Sequence, residues 1–382
     1  MNALAVGREE APNRVRTRPE GSGKGIVICA GGWAPVGGIE TFIFDLATGL
    51  AARGLLTAVT CWGKRSALLS DIERSGVTTC RLGWRWGCRW SWPDRLMMRC
   101  AWRQLRNSDV LVFGKLLHPS IHHRLAKSEK RMILITPYRP TEMWAGRRPD
   151  DATLNSFASI IVQTPEFADD LRSFGYQRRV VVLPYIPPAT GPVAPWPPES
   201  PVRVGFLGRM VPDKNVGALL LAVSAARRAG LNMELHLFGD GAELRNLQSE
   251  AERLGLAGGA FFHGNSARSE LASAIDSCHL FAFTSRREGQ CLAALEILAR
   301  GRPVVAVPVG AFPGFLSDGQ LGALAVPDEP DEFARALAAV ARGVGDSTFT
   351  PDGVQAAYSQ RFPREQVIQE YIDLLLDRAG PE

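Results

Sequence analysis

From residue 25 onward the chain alternates short apolar runs with stretches of helical period. Runs rich in β-branched residues at 25–31, 56–62, 78–82, 110–114, 131–137, 159–164 and 180–185 predict strands. Helix-period stretches lie between most of them. In IETFIFDLATGLAARG (39–54), Phe42, Leu46 and Leu50 recur at i, i+4 and i+8, and Gly54 closes the helix. Continuous apolar strands separated by amphipathic helices are the pattern of a parallel sheet covered on both faces. The pattern then breaks. Residues 184–200 hold seven of the chain's 26 prolines and can form neither a helix nor an inner strand, so they read as a semi-rigid linker. Alternation restarts with strands expected at 202–208, 234–240, 260–264, 280–285 and 303–309. A last helical stretch, 364–379, lies beyond the second set and could pack on either half. The expectation is an α/β protein of two similar domains, 25–183 and 201–359, around one linker.

A length of 382 residues fits two domains at roughly 150 residues each. With 46% hydrophobic and 22% charged residues, disorder, collagen and coiled coil are excluded as whole-chain readings. Charge changes the picture in one place. The net charge is +5, yet residues 81–106 alone hold seven Arg against one Asp, together with five of the nine Trp. The remainder is close to neutral, which argues against a nucleic-acid binder with a broad basic face. Residues 1–24 are polar with no apolar core, so they are expected to be a disordered tail rather than a signal peptide. No apolar run is long enough to span a membrane. The seven cysteines include no CxxC pair, so no zinc or redox motif is signalled and a reducing, cytoplasmic compartment is expected.

Ligands of doubly wound sheets bind where strands end and helices begin, and four such junctions carry chemistry. At 31–41, Gly37 and Gly38 let the backbone approach a ligand at a helix N-terminus. The spacing is not GxGxxG, so no nicotinamide cofactor is indicated. At 208–214, Gly208 ends a strand, and Arg209 and Lys214 flank a turn where two cations could clamp a diphosphate. At 237–244, Gly239-Asp240-Gly241 forms a tight turn suited either to a base pocket or to a purely structural role. At 284–310, a strand ends at Ser285 and Glu288-Gly289-Gln290-Cys291 forms a loop, with a helix starting near Cys291 or Leu292. There the amides of Gln290 to Leu292 would point at a phosphate. Glu288 would be free to reach a sugar, and Glu296 could accept from ribose hydroxyls.

These residues resemble the retaining GT-B glycosyltransferase family that uses nucleotide-diphosphate sugars, the family 4-like group 1 glycosyl transferases. Gly37-Gly38-Ile39-Glu40 matches its Gly-Gly-x-Glu helix start, and Gly208-Arg209 through Lys214 its Gly-Arg-x-x-x-x-Lys turn. Gly239-Asp240-Gly241 matches its Gly-x-Gly turn, and Glu288 and Glu296 its paired glutamates, followed by the strand from Gly301 to Ala306. The resemblance implies two Rossmann-like, doubly wound parallel-sheet domains facing a cleft. The first would bind the acceptor and the second the nucleotide sugar, and the final helix, 360–379, would return to the first domain. It implies catalytic roles for Glu288, Arg209 and Lys214, and nucleotide or diphosphate contacts from Glu296, Gly289, Gln290, Cys291, Leu292, Gly208, Gly239, Gly37 and Gly38. Retention of configuration is implied, with no metal and no cofactor beyond the nucleotide-sugar donor. The chain departs from the family in three places. Gln290-Cys291 stands where Phe-Gly is usual, Ala311 where a second Gly follows, and Pro313-Gly314 where Pro-Glu is found. Lys115 and His118 are alternatives for the place of a customary His.

The basic segment adds a location. Residues 94–106 read as a helix on which Arg95, Arg99 and Arg103 form one stripe, while Met98, Trp102 and Leu105 line another face. Arg with interfacial Trp suits docking on an anionic membrane, and the competing reading is a solvated helix with locally packed Trp. The partners expected are therefore a nucleotide-sugar donor, a glycan or lipid-linked acceptor and an anionic inner-membrane face, and no nucleic acid. A sugar-nucleotide epimerase or hydrolase and a non-catalytic partner subunit are the competing functions.

Overall fold

The computed structural model describes residues 25–32, 38–62, 67–82, 105, 108–114, 116, 119–136, 139–140, 148–198, 200–266, 268–325 and 329–377. The first half holds seven strands: β1 (Ile26–Gly32), β2 (Leu56–Trp62), β3 (Thr79–Leu82), β4 (Val110–Phe113), β5 (Arg131–Ile135), β6 (Ser159–Val162) and β7 (Arg179–Val182). They form one parallel sheet in the order β3-β2-β1-β4-β5-β6-β7. The second half holds β8 (Val202–Leu207), β9 (Met233–Phe238), β10 (Ala260–Gly264), β11 (Leu280–Phe283), β12 (Val304–Ala306) and β13 (Gly322–Leu324). They form a second parallel sheet ordered β10-β9-β8-β11-β12-β13. The fold is thus the two-sheet, Rossmann-like GT-B arrangement. In each sheet the order reverses once, between β1 and β4 and between β8 and β11. Loops leaving a reversal point diverge to opposite faces and open a crevice at the carboxyl edge.

Burial follows the two-residue pleat. Val27 and Cys29 join a core on one face of the first sheet, while Ile26, Ile28 and Ala30 join the core on the other. The second sheet divides likewise: Leu280 and Ala282 pack with the helix Val216–Arg228, and Phe281 and Phe283 face the opposite cluster. That opposite cluster runs through both halves and includes the last helix, Arg364–Leu376.

This helix crosses back to the first sheet. Arg364 pairs with Asp45 at 3.0 Å and Arg53 with Glu365 at 2.6 Å, and just past its end Asp377 pairs with Arg131 at 2.9 Å. Tyr371 packs against Phe42 and donates its hydroxyl to Pro184 O at 2.9 Å. The proline-rich stretch forms no regular element and is held by side chains of the second half. Arg302, wholly buried, donates to Ala194 O at 3.0 Å and Pro195 O at 2.9 Å and lies over the Trp196 ring. Tyr358 donates to Pro188 O at 3.0 Å and Gln355 to Gly191 O at 3.0 Å.

Two expectations change. The strand expected at 303–309 is confined to Val304–Ala306, because Pro303 and Pro308, which lack an N–H, bracket it. Strand β13 was not expected, since three residues are too short to show a period. Of the 94–106 segment only Leu105 is described, and it is buried in the core of the first half. Among the described residues no helix is long and apolar enough to cross a membrane.

Candidate functional site

The reversal point of the second sheet brings two loops together, one after β8 and one after β11. The loop after β8 is fixed by glycines. A Cβ on Gly239 would stand 1.9 Å from Gly208 O, and one on Gly241 2.2 Å from Met210 O, so the turns after β8 and β9 interlock only without side chains there. Met210 N donates to Asp240 O at 2.8 Å, and Glu243 N donates back to Met210 O at 3.0 Å. A short 3-10 turn, Pro212–Lys214, follows and ends at Asn215 in the left-handed region (φ 48°). Asn is among the few side chains that tolerate it. The loop after β11 is tied to this turn. Arg286 N donates to Asp213 O at 2.8 Å, Arg287 Nη2 donates to both oxygens of the Asp213 carboxylate at 2.8 and 2.9 Å, and Thr284 donates to Asn215 O at 2.9 Å.

The result is a direct pair. Lys214 Nζ lies 2.6 Å from Glu288 Oε1, and Ser285 Oγ donates to the same oxygen at 2.7 Å. Only 6% of the Glu288 side chain and 21% of the Lys214 side chain are exposed. Burial pushes the Lys214 pKa down, but the adjoining Glu288 carboxylate and Cys291 together offset this, and the net shift is upward. The ammonium is therefore charged at neutral pH. Burial, with the Glu288 carboxylate beside it, pushes the Cys291 thiol up, so it stays protonated there. Cys291 sits in the left-handed region (φ 51°) as the residue before the helix Leu292–Leu298. The loop rests on Gly310, where a Cβ would stand 2.4 Å from Glu288 O and 2.5 Å from Gly289 O. Ala311 N donates to Gly289 O at 3.0 Å.

The structure thus brings Lys214, Glu288, Gly289, Gln290 and Cys291 into one cluster, with Gly208 and Gly239 supporting it. Glu288, expected to be free, is instead engaged by Lys214 and Ser285, because strand order sets β8 beside β11. Lys214 is correspondingly not an open cation. Arg209 is exposed and makes no ion pair among the described residues. Leu292 is buried and begins its helix, and Glu296, half-buried a turn further on, lies close enough to the Tyr358 phenol to act on it electrostatically. Gln290 is buried, and its side-chain oxygen accepts from Tyr185 N, which belongs to the segment entering the linker. Its side chain therefore ties the Glu288 loop to the first half. Gly38 opens the helix Gly38–Ala51. Gly37, Lys115, His118, Arg95, Arg99, Trp102 and Arg103 lie outside the described residues. Sequence reasoning missed Ser285 and the Asp213–Arg287 pair; the only signal for Ser285 was its position as the last residue of the expected strand.

Residues 195–343 match the family described as Glycosyl transferases group 1, and residues 36–185 match Glycosyltransferase Family 4. The chain is 30% identical over 364 residues to the lipopolysaccharide core biosynthesis glycosyltransferase LpsE of Rhizobium meliloti (strain 1021), covering 90% of this chain and 96% of that protein. Its fold resembles the lipopolysaccharide outer core galactosyltransferase WaaB in its apo form, with TM-score 0.69 and 16% identity over 93% of this chain and all of that one. It also resembles Anabaena Alr3699/HepE in complex with UDP-glucose, with TM-score 0.73, 16% identity and the same coverage.

Proposed function

The chain belongs to the group 1 glycosyl transferases of GT-B fold, and from that premise we propose that it is a retaining, metal-independent enzyme that moves a hexose from a nucleoside diphosphate sugar to a glycan or lipid-linked acceptor. Lipopolysaccharide core or glycolipid synthesis is the setting that the names of LpsE and WaaB favour. A uridine nucleotide is the first candidate donor, since HepE was solved with UDP-glucose.

One observation carries the reading: a charged lysine held by a buried carboxylate at the reversal point of the second sheet. When a sugar leaves its nucleotide, negative charge grows on the departing diphosphate. A cation already fixed there stabilises that charge without having to reorganise. Lys214 meets this need, because Glu288 and Ser285 keep it aimed and ionised. Arg209, exposed at the same strand end, supplies a second cation whose fork suits a phosphate. The donor's diphosphate would share Lys214 with Glu288. The carboxylate oxygen Oε2, which takes neither the Lys214 nor the Ser285 bond, would accept from a hydroxyl of the donor sugar. Glu296 would receive the ribose hydroxyls.

The test is a thermal-shift screen of UDP-, GDP- and ADP-glucose, followed by nucleotide release with and without acceptor. One nucleotide class should raise the melting temperature, and its release should depend on acceptor. No response to any of the three would contradict the reading, and acceptor-independent sugar turnover would favour an epimerase or hydrolase instead.

A further inference from the structure

Gln163 and Thr164 follow β6 directly, at the carboxyl edge of the first sheet. They are only 7% and 6% exposed. Among the described residues, neither the oxygen nor the nitrogen of the Gln163 amide has a hydrogen-bond partner, and neither has the Thr164 hydroxyl. A buried polar group left unpaired carries its full desolvation penalty, so such groups in a folded protein call for an explanation.

Their position suggests one. Leu183 N donates to Val162 O at 2.9 Å and is followed by Pro184, which has no N–H to continue the ladder. The next residue, Tyr185, turns its N–H to Gln290 in the loop that carries Glu288. The unpaired groups therefore follow the strand that pairs with β7, and β7 runs into the linker whose Tyr185 meets the donor loop. Thr164 stands as N-cap of the helix Pro165–Ser173 yet makes no side-chain cap bond, and Pro165 at the first helical position offers no N–H. The amide can donate twice and accept, and the hydroxyl can do both. Glu166 in the first turn of the helix disfavours an anion. Unpaired donors and acceptors at a helix start that carries an acidic residue match the hydroxyls of an uncharged sugar ring rather than a phosphate.

We propose that Gln163 and Thr164 form a sugar-binding subsite on the first-sheet side of the junction, hydrogen-bonded to ring hydroxyls of a substrate. The proposal rests on the transferase reading above. The ring can belong to the donor or to the acceptor, and the experiment separates the two. Melting of the wild type and of the Gln163→Met and Thr164→Val variants is followed in four states: ligand-free, with UDP, with UDP-glucose, and with UDP plus a core oligosaccharide released from lipopolysaccharide by mild acid. Ligand-free melting of both variants should equal or exceed that of the wild type, because an apolar side chain of similar shape leaves nothing unpaired. The UDP shift should be unchanged. The additional shift from one sugar probe should shrink, with affinity for it about tenfold weaker. Loss confined to UDP-glucose assigns the donor ring, and loss confined to the oligosaccharide assigns the acceptor. A lower ligand-free melting temperature in both variants, or a wild-type response to both sugars, overturns the subsite. A wild type unmoved by UDP, GDP and ADP alike would count against the transferase reading alone, and ligand-free melting would still decide whether the two side chains are unpaired.

Discussion

Gly310 sits under the Glu288 loop, and the absence of a side chain there is what lets the loop close on Lys214. Its φ of 57° lies in the left-handed region, and an added Cβ would fall within 2.5 Å of two loop carbonyl oxygens. Gly310→Ala should therefore lower stability by more than about 1 kcal/mol and weaken nucleotide binding together, as read by chemical denaturation and titration. A variant unchanged in both would show that the loop does not depend on this contact. Arg209, Lys214 and Glu288 were legible in the sequence because strand-end glycines and spacing mark them. Their pairing was not, since Lys214 and Glu288 are 74 positions apart and meet only because β8 lies beside β11. The side-chain role of Gln290 was hidden for a related reason. The sequence pointed to its backbone amide as a phosphate contact, whereas the partner of its side-chain oxygen is a backbone N–H 105 positions away. The family pattern held the clue: an amide replaces an aromatic, and an amide can accept a bond that a phenyl ring cannot.

At the scale of elements, the strands were legible wherever a continuous apolar run is long enough to be distinct, and they faded at β13 and around Pro303 and Pro308. The short helix Pro119–Ala126 carries His122, wholly buried between the rings of Phe113 and Phe157. Burial, and then the charge of His123, hold its pKa down at about 4 against an ordinary 6.5, with Asp150 opposing. The sign follows from proton uptake. Below pH 6.5 the unfolded chain binds a proton that the folded chain refuses until about pH 4, so stability present at neutral pH is lost as pH falls through that window. His279, also lowered to about 4 by burial and then by Arg203 and Arg302, contributes a second share. Melting temperature should decline between pH 6.5 and 4, and His122→Leu should flatten part of the decline. An unaltered slope in that variant would show that His122 is not responsible.

For the whole molecule, alternation alone indicated two parallel sheets joined by a proline-rich stretch. Strand order was not legible, because it depends on which crossovers run to which side, and that order decides where the site forms. The contacts of Arg364 with Asp45 and of Tyr371 with Pro184 O join the last helix to the helix Gly38–Ala51 and the linker entry, and local pattern could not have chosen between the halves. For the basic segment at 81–106, membrane docking is a proposal from its sequence. The central claim is that this cluster receives a nucleotide diphosphate. Calorimetric titration of UDP into the wild type, into Lys214→Met and into the Lys214→Met/Glu288→Gln double variant tests it most directly. The double variant removes both charges, so it should fold nearly as stably as the wild type, whereas the single variant leaves Glu288 buried without its partner. The account predicts saturable binding to the wild type and at least about tenfold weaker binding to the stably folded double variant. No binding of UDP, GDP or ADP to the wild type, or equal binding of the bound nucleotide to a folded double variant, would contradict it.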